Sequence, residues 1–228
     1  MKKLTFLIFL FLFLNISPFL YPAPCYGIKL PKKGEIFVGY QTYRIFKKYL
    51  EKNYGKVRSL QHFLLLSFGV FDWFSIDLKG GCGNIKQHPQ NKDEIDYSTS
   101  FAGGYGFRIK FYDGEKTKAV FGFQHISAHP EKVFLENKKN RSILDDWQLS
   151  ILTSYSFKKI TPYLGLRWSR TDYIHWEDSN RKRKKSDLTK QVGLIFGFDL
   201  SLNDKMWLNI EGQFIDTEAI AFSINFSL

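Results

Sequence analysis

Cysteine and the short motifs of common active sites are scarce in this chain. Its 228 residues include 2 cysteines, and one of them, Cys25, lies in an N-terminal stretch with the pattern of an export signal. Once that stretch is removed, Cys82 is alone and an intramolecular disulfide is excluded. We find no glycine-rich phosphate loop, no CxxC pair and no HExxH motif. The sequence therefore predicts no cofactor and no metal ion.

Long hydrophobic runs are confined to the N-terminus. An apolar run over residues 4–20 follows two lysines, and the small residue Gly27 stands near the expected junction. The alternative is a single membrane-spanning helix, but this run is shorter than the roughly 20 residues that a span requires, and Pro18 interrupts it. We expect residues 1–27 to be a cleaved signal peptide and residues 28–228 to form one exported domain.

The mature sequence repeats one pattern, in which apolar and polar residues alternate over about ten positions before a turn. Alternation with a period of two is typical of β-strands that have two different faces. The last stretch is the most regular, because Ile220, Phe222 and Ile224 alternate with polar or small residues. The predicted strands are 35–46, 59–70, 73–83, 97–110, 118–129, 145–157, 161–175, 188–202, 205–216 and 218–228.

Two features indicate that the apolar faces of these strands point outward. A soluble sandwich would turn them inward, but aromatic residues such as Trp147 and Phe157 stand near the ends of the apolar faces, as at a lipid–water boundary. The polar faces carry charges of both signs, which can pair inside a narrow lumen. These predicted inward charges are Glu35, Asp77, Lys79, Arg108, Lys110, Arg167, Asp199 and Glu211.

The connections between the predicted strands alternate between short and long. Tight turns alternate with long polar segments at 47–58, 84–96, 130–144 and 176–187, as in barrels with short turns at one end and long loops at the other. Closure is required in lipid because every backbone N–H and C=O must be paired internally. The sequence therefore predicts an all-β fold, a closed antiparallel up-and-down transmembrane β-barrel of about ten strands, with eight as the alternative.

The C-terminal residues 220–228, Ile-Ala-Phe-Ser-Ile-Asn-Phe-Ser-Leu, resemble the assembly signal of small bacterial outer-membrane barrels. Most such signals end in Phe or Trp, whereas this one ends in Leu228 and has Phe226 in the matching register. The resemblance implies location in the bacterial outer membrane and dependence on the envelope export and barrel-assembly machinery.

Positive charge is concentrated in two of the predicted long loops. The formal net charge is +11, but for an exported protein the expected anionic partner is lipopolysaccharide or anionic lipid rather than nucleic acid. Solvated loop tips are the alternative. The residues expected to contact lipopolysaccharide are Lys138, Lys139, Arg141, Arg181, Lys182, Arg183, Lys184 and Lys185.

One local pattern suggests catalysis. His125, Ser127 and His129 fall on one face of the fifth predicted strand, and this H-x-S pattern resembles lipid A 3-O-deacylases and outer-membrane phospholipase A. The resemblance implies acyl-ester hydrolysis with Ser127 as nucleophile, His125 as base and a carboxylate as third member. The candidate carboxylates are Glu136, Asp145 and Asp146. A polar girdle at the strand end is the alternative interpretation.

Two function classes follow. The preferred hypothesis is a barrel with a structural or surface-interaction role, and the second is a lipid acyl-ester hydrolase that uses His125 and Ser127. A pore is disfavoured, because ten strands enclose a narrow lumen that the predicted inward charges would fill. The sequence does not predict an oligomeric state.

Overall fold

The computed structural model describes residues 27–51, 54–90 and 93–228. The predicted signal peptide, apart from Gly27, lies outside the described residues. The strands are β1 (Ile36–Tyr49), β2 (Lys56–Phe71), β3 (Phe74–His88), β4 (Ile95–Asp113), β5 (Thr117–His129), β6 (Val133–Leu135), β7 (Lys138–Tyr155), β8 (Ile160–Glu177), β9 (Asn180–Lys185), β10 (Val192–Ser201), β11 (Met206–Phe214) and β12 (Glu218–Ser227). Among the described residues, no helix has the length and apolarity needed to cross a membrane.

These strands form a closed antiparallel barrel. β1 pairs with both β2 and β12, and the ring is completed where β7 pairs with β8. Ten of the 12 strands are staves of the barrel, because β6 and β9 only extend the edges of β7 and β8. The predicted ten-stranded barrel is therefore confirmed. The barrel end that holds the start of β1 and the tight turns is called the turn end. The opposite end is called the loop end.

The predicted orientation of the faces is also confirmed. On the predicted apolar faces, Phe196 is 57% exposed and Phe222 is 42% exposed. On the predicted polar faces, Arg108 is 1% exposed and Arg167 is 0% exposed. The outward side chains form an apolar band around the ring, and the barrel hydrogen bonds satisfy the backbone without a free edge between the staves.

The lumen is filled by side chains that meet across it. Tyr173 of β8 donates its hydroxyl to Gln87 Oε1 of β3 at 2.7 Å, although four strand-to-strand steps separate β8 from β3. Arg167 of β8 reaches Asp216, which follows β11, at 2.9 Å. Gly193 makes room for this carboxylate, since a Cβ there would meet Asp216 Oδ1 at 1.8 Å. The structure thus places a continuous packed interior where the sequence suggested mainly small and charged residues.

The predicted long loops are wrong in extent. Much of 84–96, 130–144 and 176–187 belongs to strands, including the extra strands β6 and β9. These segments are too polar to lie in lipid. The strands nevertheless stay paired beyond the apolar band, because backbone hydrogen bonds and ion pairs are sufficient to hold them together in water. Arg58–Glu94 and Lys138–Glu177 are two such pairs. The first predicted residues of 188–202 instead form a 3₁₀ turn at Leu188–Lys190, which the Asp187 side chain caps.

Candidate functional site

The outer face of β4, β5, β7 and β8 changes from apolar to polar in three successive cross-strand rows. The rows, from the turn end towards the loop end, are Phe107–Phe123–Leu149–Trp168, then Tyr105–His125–Trp147–Arg170, then Gly103–Ser127–Asp145–Asp172. We call the last of these the polar row. Such a succession is what an outward strand face presents where lipid gives way to water.

Ser127 lies between an imidazole and a carboxylate. Its Oγ is 2.7 Å from His129 Nε2 and donates a hydrogen bond to Asp145 Oδ1 at 2.5 Å. The cross-strand register explains the second contact, because Ser127 and Asp145 are direct partners on β5 and β7. The imidazole in contact with the hydroxyl is therefore that of His129.

His125 is held differently from His129. Its ring packs on Trp147 with 4.1 Å between ring centroids and lies 5.4 Å from the ring of Tyr105. Its Nε2 is 3.6 Å from Asp145 Oδ1, which is ion-pair distance if the ring is protonated. That nitrogen is buried and has no hydrogen-bond partner among the described residues. Asp145 thus stands between Ser127 and His125.

The other two candidate acids lie elsewhere. Asp146 points into the lumen, where its carboxylate accepts hydrogen bonds from Gln148 Nε2 and Thr171 Oγ1. Glu136 lies in the exposed turn between β6 and β7, with a positive φ of 47°. Of the three carboxylates, Asp145 is the one that the structure brings to Ser127. In the part of the chain that is described, no three His, Cys, Asp or Glu side chains are grouped to hold a metal ion.

An acyl-transfer site of this kind needs a nucleophile, a base and a carboxylate that orients the base. This geometry supplies the nucleophile and the base. A hydroxyl and an imidazole are in contact at 2.7 Å, which is the distance that proton transfer requires. The carboxylate, however, bonds to the hydroxyl and lies near His125, not His129. Strand N–H groups are used in the ladder, so an oxyanion would need side-chain donors. Arg170 Nε, buried and without an acceptor among the described residues, is a side-chain donor on this face, but it lies on β8, two strands away from Ser127 on β5.

Arg170 and Arg183 flank a buried carboxylate at the end of the polar row. Arg183 Nη2 is 2.5 Å from Asp172 Oδ2, and Arg170 Nη2 is 3.6 Å from Asp172 Oδ1. Both guanidinium groups border an outward groove of about 360 Å³ whose other walls include Phe123, Leu149, Trp147 and Trp168. Sequence reasoning missed Arg170 and Asp172, although both share the parity of Trp168 on the outward face of β8.

The predicted lipopolysaccharide residues lie at the loop end, on two strands that both pair with β8. Lys138, Lys139 and Arg141 belong to the start of β7, and Arg181–Lys185 belong to β9, so their predicted placement in loops is wrong. Arg141 and Arg181 both lie over the Trp176 ring, at 5.4 and 5.6 Å from its centroid. The side chains of these two basic segments therefore converge on one aromatic residue.

Ion pairs hold this basic end in place. Lys138 Nζ donates to Glu177 Oε1 at 2.8 Å, and this hydrogen bond raises the pKa of Lys138 and lowers the pKa of Glu177. Lys182 Nζ lies 4.0 Å from the same carboxylate. Glu177 is thus shared by two cations. Among the described residues, five of the eight basic side chains have no carboxylate oxygen within 4.0 Å of their nitrogens, so the end keeps a net positive charge.

No family model matches this chain, and no curated protein matches it. Solved structures with a similar fold include Ail, the attachment invasion locus protein of Yersinia pestis, at 7% identity and a TM-score of 0.45, covering 87% of this chain and 100% of that one. The translocator domain of the autotransporter NalP from Neisseria meningitidis has 11% identity and a TM-score of 0.47, covering 86% and 88%. The outer membrane protease OmpT from Escherichia coli has 10% identity and a TM-score of 0.36, covering 85% and 92%.

Proposed function

We propose that this protein is a closed barrel of the bacterial outer membrane whose loop end binds the phosphate groups of lipopolysaccharide. Its apolar outer band and internally paired backbone suit a bilayer, and its filled lumen disfavours transport through the barrel. The observation that carries the proposal is the position of Arg170 and Arg183 above an apolar groove. Guanidinium groups suit phosphate, and the groove below them suits an acyl chain.

The basic end extends this surface. Arg141 and Arg181, held over Trp176, and the lysines of β9 lie farther from the apolar band than Arg170. Each such residue near an anionic lipid surface contributes about 1 kcal/mol to binding at low salt. A lipopolysaccharide headgroup carries several phosphates, so it would meet the groove and the basic end together.

The test compares lipopolysaccharide binding by variants with the same loss of charge at opposite ends of the barrel. Arg141→Gln with Arg181→Gln should weaken binding by about tenfold or more at low salt, with a smaller loss at high salt because exposed contacts are screened. The matched control is Lys158→Gln with Lys159→Gln, in the turn between β7 and β8. Unchanged binding after neutralising Arg170 together with all eight predicted basic residues would remove the proposal.

A second candidate function is hydrolysis of an acyl ester in the outer leaflet. The specific observation in its favour is the 2.7 Å contact between Ser127 Oγ and His129 Nε2 on the outward face, beside a groove that fits acyl chains. Ser127 would attack the ester carbonyl, with either His129 or His125, the base that the sequence predicts, accepting its proton. Asp145 would need to move its hydrogen bond from the hydroxyl to an imidazole.

This candidate is tested by fatty-acid release from lipid A and from phospholipid. Ser127→Ala should abolish release, and separate His125→Asn and His129→Asn variants should identify the base. A matched control is Ser98→Ala, an exposed serine at the loop end of β4. Equal release from parent and Ser127→Ala, or none from either, would end the hydrolase hypothesis without affecting the lipopolysaccharide proposal.

A further inference from the structure

The segment before β1 enters the barrel lumen from the turn end. Lys33 lies at the rim, where its backbone N–H donates to Asp72 Oδ1 at 3.0 Å. Ile28 lies inside and is 2% exposed, and between them the Lys29 carbonyl accepts a hydrogen bond from Arg108 at 2.6 Å. Ile28 belongs to an apolar cluster with Val120, Leu152, Tyr163 and Ile195, which come from four different staves.

Asp199 is a buried carboxylate that no cation of the described residues contacts directly, although Lys29 is near enough to act on it electrostatically. It is 0% exposed, and among the described residues no basic nitrogen lies within 4.0 Å of its oxygens. By contrast, Asp77 and Asp216 are paired with Arg108 and Arg167 at 2.8 and 2.9 Å. A buried carboxylate is costly unless it is paired or hydrogen-bonded, so the surroundings of Asp199 call for a further positive group.

The group that faces Asp199 is the backbone nitrogen of Ile28. This N–H lies 3.4 Å from Asp199 Oδ2, while Asn209 Nδ2 donates to Oδ1 at 2.9 Å. Gly27 packs against the same carboxylate, since a Cβ built on it would meet Asp199 Oδ1 at 2.7 Å. The carboxylate is therefore directed at the peptide bond between Gly27 and Ile28.

We propose that cleavage between Gly27 and Ile28 creates the counter-ion of Asp199. Water adds across this amide, so that Gly27 leaves with a carboxylate and Ile28 keeps an amine. An α-amino group has a pKa of about 7.7–8.0 and is an ammonium ion at neutral pH. The new cation then occupies the position of the present N–H, 3.4 Å from Asp199 Oδ2. Small side chains at Cys25 and Gly27 suit an export-signal peptidase.

This proposal rests on the expected signal peptide and is independent of lipopolysaccharide binding. It assigns Asp199 a role that appears only in the processed chain. Before cleavage the carboxylate faces a neutral amide, and after cleavage it faces a charge. Processing would therefore stabilise the packed lumen as well as release the chain from its export signal.

The test is a double-mutant cycle on refolded protein. One chain begins at Ile28, and the other carries a Gly-Ser-Gly-Ser extension before Ile28, which restores an amide and moves the ammonium away. With Asp199 present, the extension should raise the unfolding equilibrium constant by about tenfold or more, as expected for a buried hydrogen bond to a charged group. With Asp199→Asn, the extension should change that constant by less than about twofold.

The matched control is Asp72→Asn, which removes a carboxylate that binds the same segment at Lys33. There the extension should cost as much as in the parent. An equal cost with Asp199 and with Asp199→Asn would overturn the proposal. If the Asp199→Asn chain fails to refold, N-terminal sequencing of protein isolated from envelopes decides, because a mature chain that does not begin at Ile28 contradicts the assignment.

Discussion

At the scale of single residues, the side of the barrel wall on which a side chain lies decides its environment. Phe222 faces outward in the middle of β12, and Phe226 faces outward near its end. Between them, Ser223 is buried on the lumen side. The cost of a charge should therefore depend on depth as well as on face, because lipid at the bilayer midplane offers no water to solvate it.

We expect Phe222→Arg to destabilise the barrel by about 2–4 kcal/mol and Phe226→Arg by about 0–1 kcal/mol. Both variants place the same side chain on the same strand, so only depth differs. The measurement is the free energy of unfolding in lipid vesicles from denaturant titrations. Equal costs at the two positions would contradict a bilayer centred on Phe222.

A second residue-scale prediction concerns the lumen charges. Arg167→Met together with Lys48→Met removes both cations that pair with Asp216, whose side chain is 0% exposed, and should cost about 3–5 kcal/mol because a buried charge is left uncompensated. Arg58→Met breaks the exposed pair with Glu94 and should cost less than about 1 kcal/mol. Similar losses in the two variants would show that Asp216 is not sequestered from water.

The catalytic hypothesis marks the limit of prediction at this scale. Residues two apart on a strand share a face, so His125 and His129 are equally placed around Ser127 in the sequence. Only side-chain packing distinguishes them: Trp147 and Tyr105 hold the His125 ring, and the His129 ring reaches the hydroxyl. No periodicity encodes that choice.

At the scale of elements, alternation predicted the staves well and their ends poorly. The apolar band imposes a two-residue period, which reveals the lipid-embedded part of every strand. Beyond the band the outward face no longer needs to be apolar, so β7 continues to Lys138 and β8 to Glu177 without a periodic signal. The strand β9 is mostly cationic, and its pairing with β8 depends on partners that composition does not show.

This extended sheet should respond to acid. His175 on β8 lies beyond the apolar band and contacts Asn140 Oδ1 at 2.8 Å. Burial lowers the pKa of His175, and Lys182 nearby lowers it further, against the opposing effect of Glu177. Above the unfolded value of 6.5 both states are neutral and stability is complete. As the pH falls below it, the open state takes up a proton first and stability is lost.

Hydrogen exchange of β7, β8 and β9 should therefore be faster, relative to the chemical rate, at about pH 5.5 than at about pH 7.5. His175→Gln, which cannot titrate, should remove the difference. His88, another histidine at the loop end, is retained in this variant, so the comparison isolates the contribution of His175. Identical pH dependence in parent and variant would assign the effect to other groups.

At the scale of the whole molecule, the barrel is a ring around a packed interior. Tyr173–Gln87 joins strands four steps apart around the ring, and Arg167–Asp216 joins β8 to the end of β11, two steps away. The sequence predicted the inward charges but not these partners, nor the entry of Ile28 into the lumen. Both depend on where ring closure brings distant segments, which local pattern does not determine.

The filled lumen predicts that the protein does not conduct ions. In planar bilayers the refolded barrel should give no steady unitary currents above those of bilayers treated with detergent alone. The physical reason is that side chains such as Arg108 and Tyr163, buried within the ring, occupy the path that ions would take. Reproducible conductance steps would contradict this packing.

The seam between β1 and β12 has a kinetic consequence. Phe37 pairs with Ser227 and Tyr40 pairs with Ile224, so the ring closes through contacts between the two extremes of the domain. Closing such a long loop is entropically slow, and until it happens both edge strands offer unpaired backbone to other chains. The seam is therefore expected to form last and to open first. Until it closes, the edges of β1 and β12 must be covered by a chaperone or by the assembly machinery.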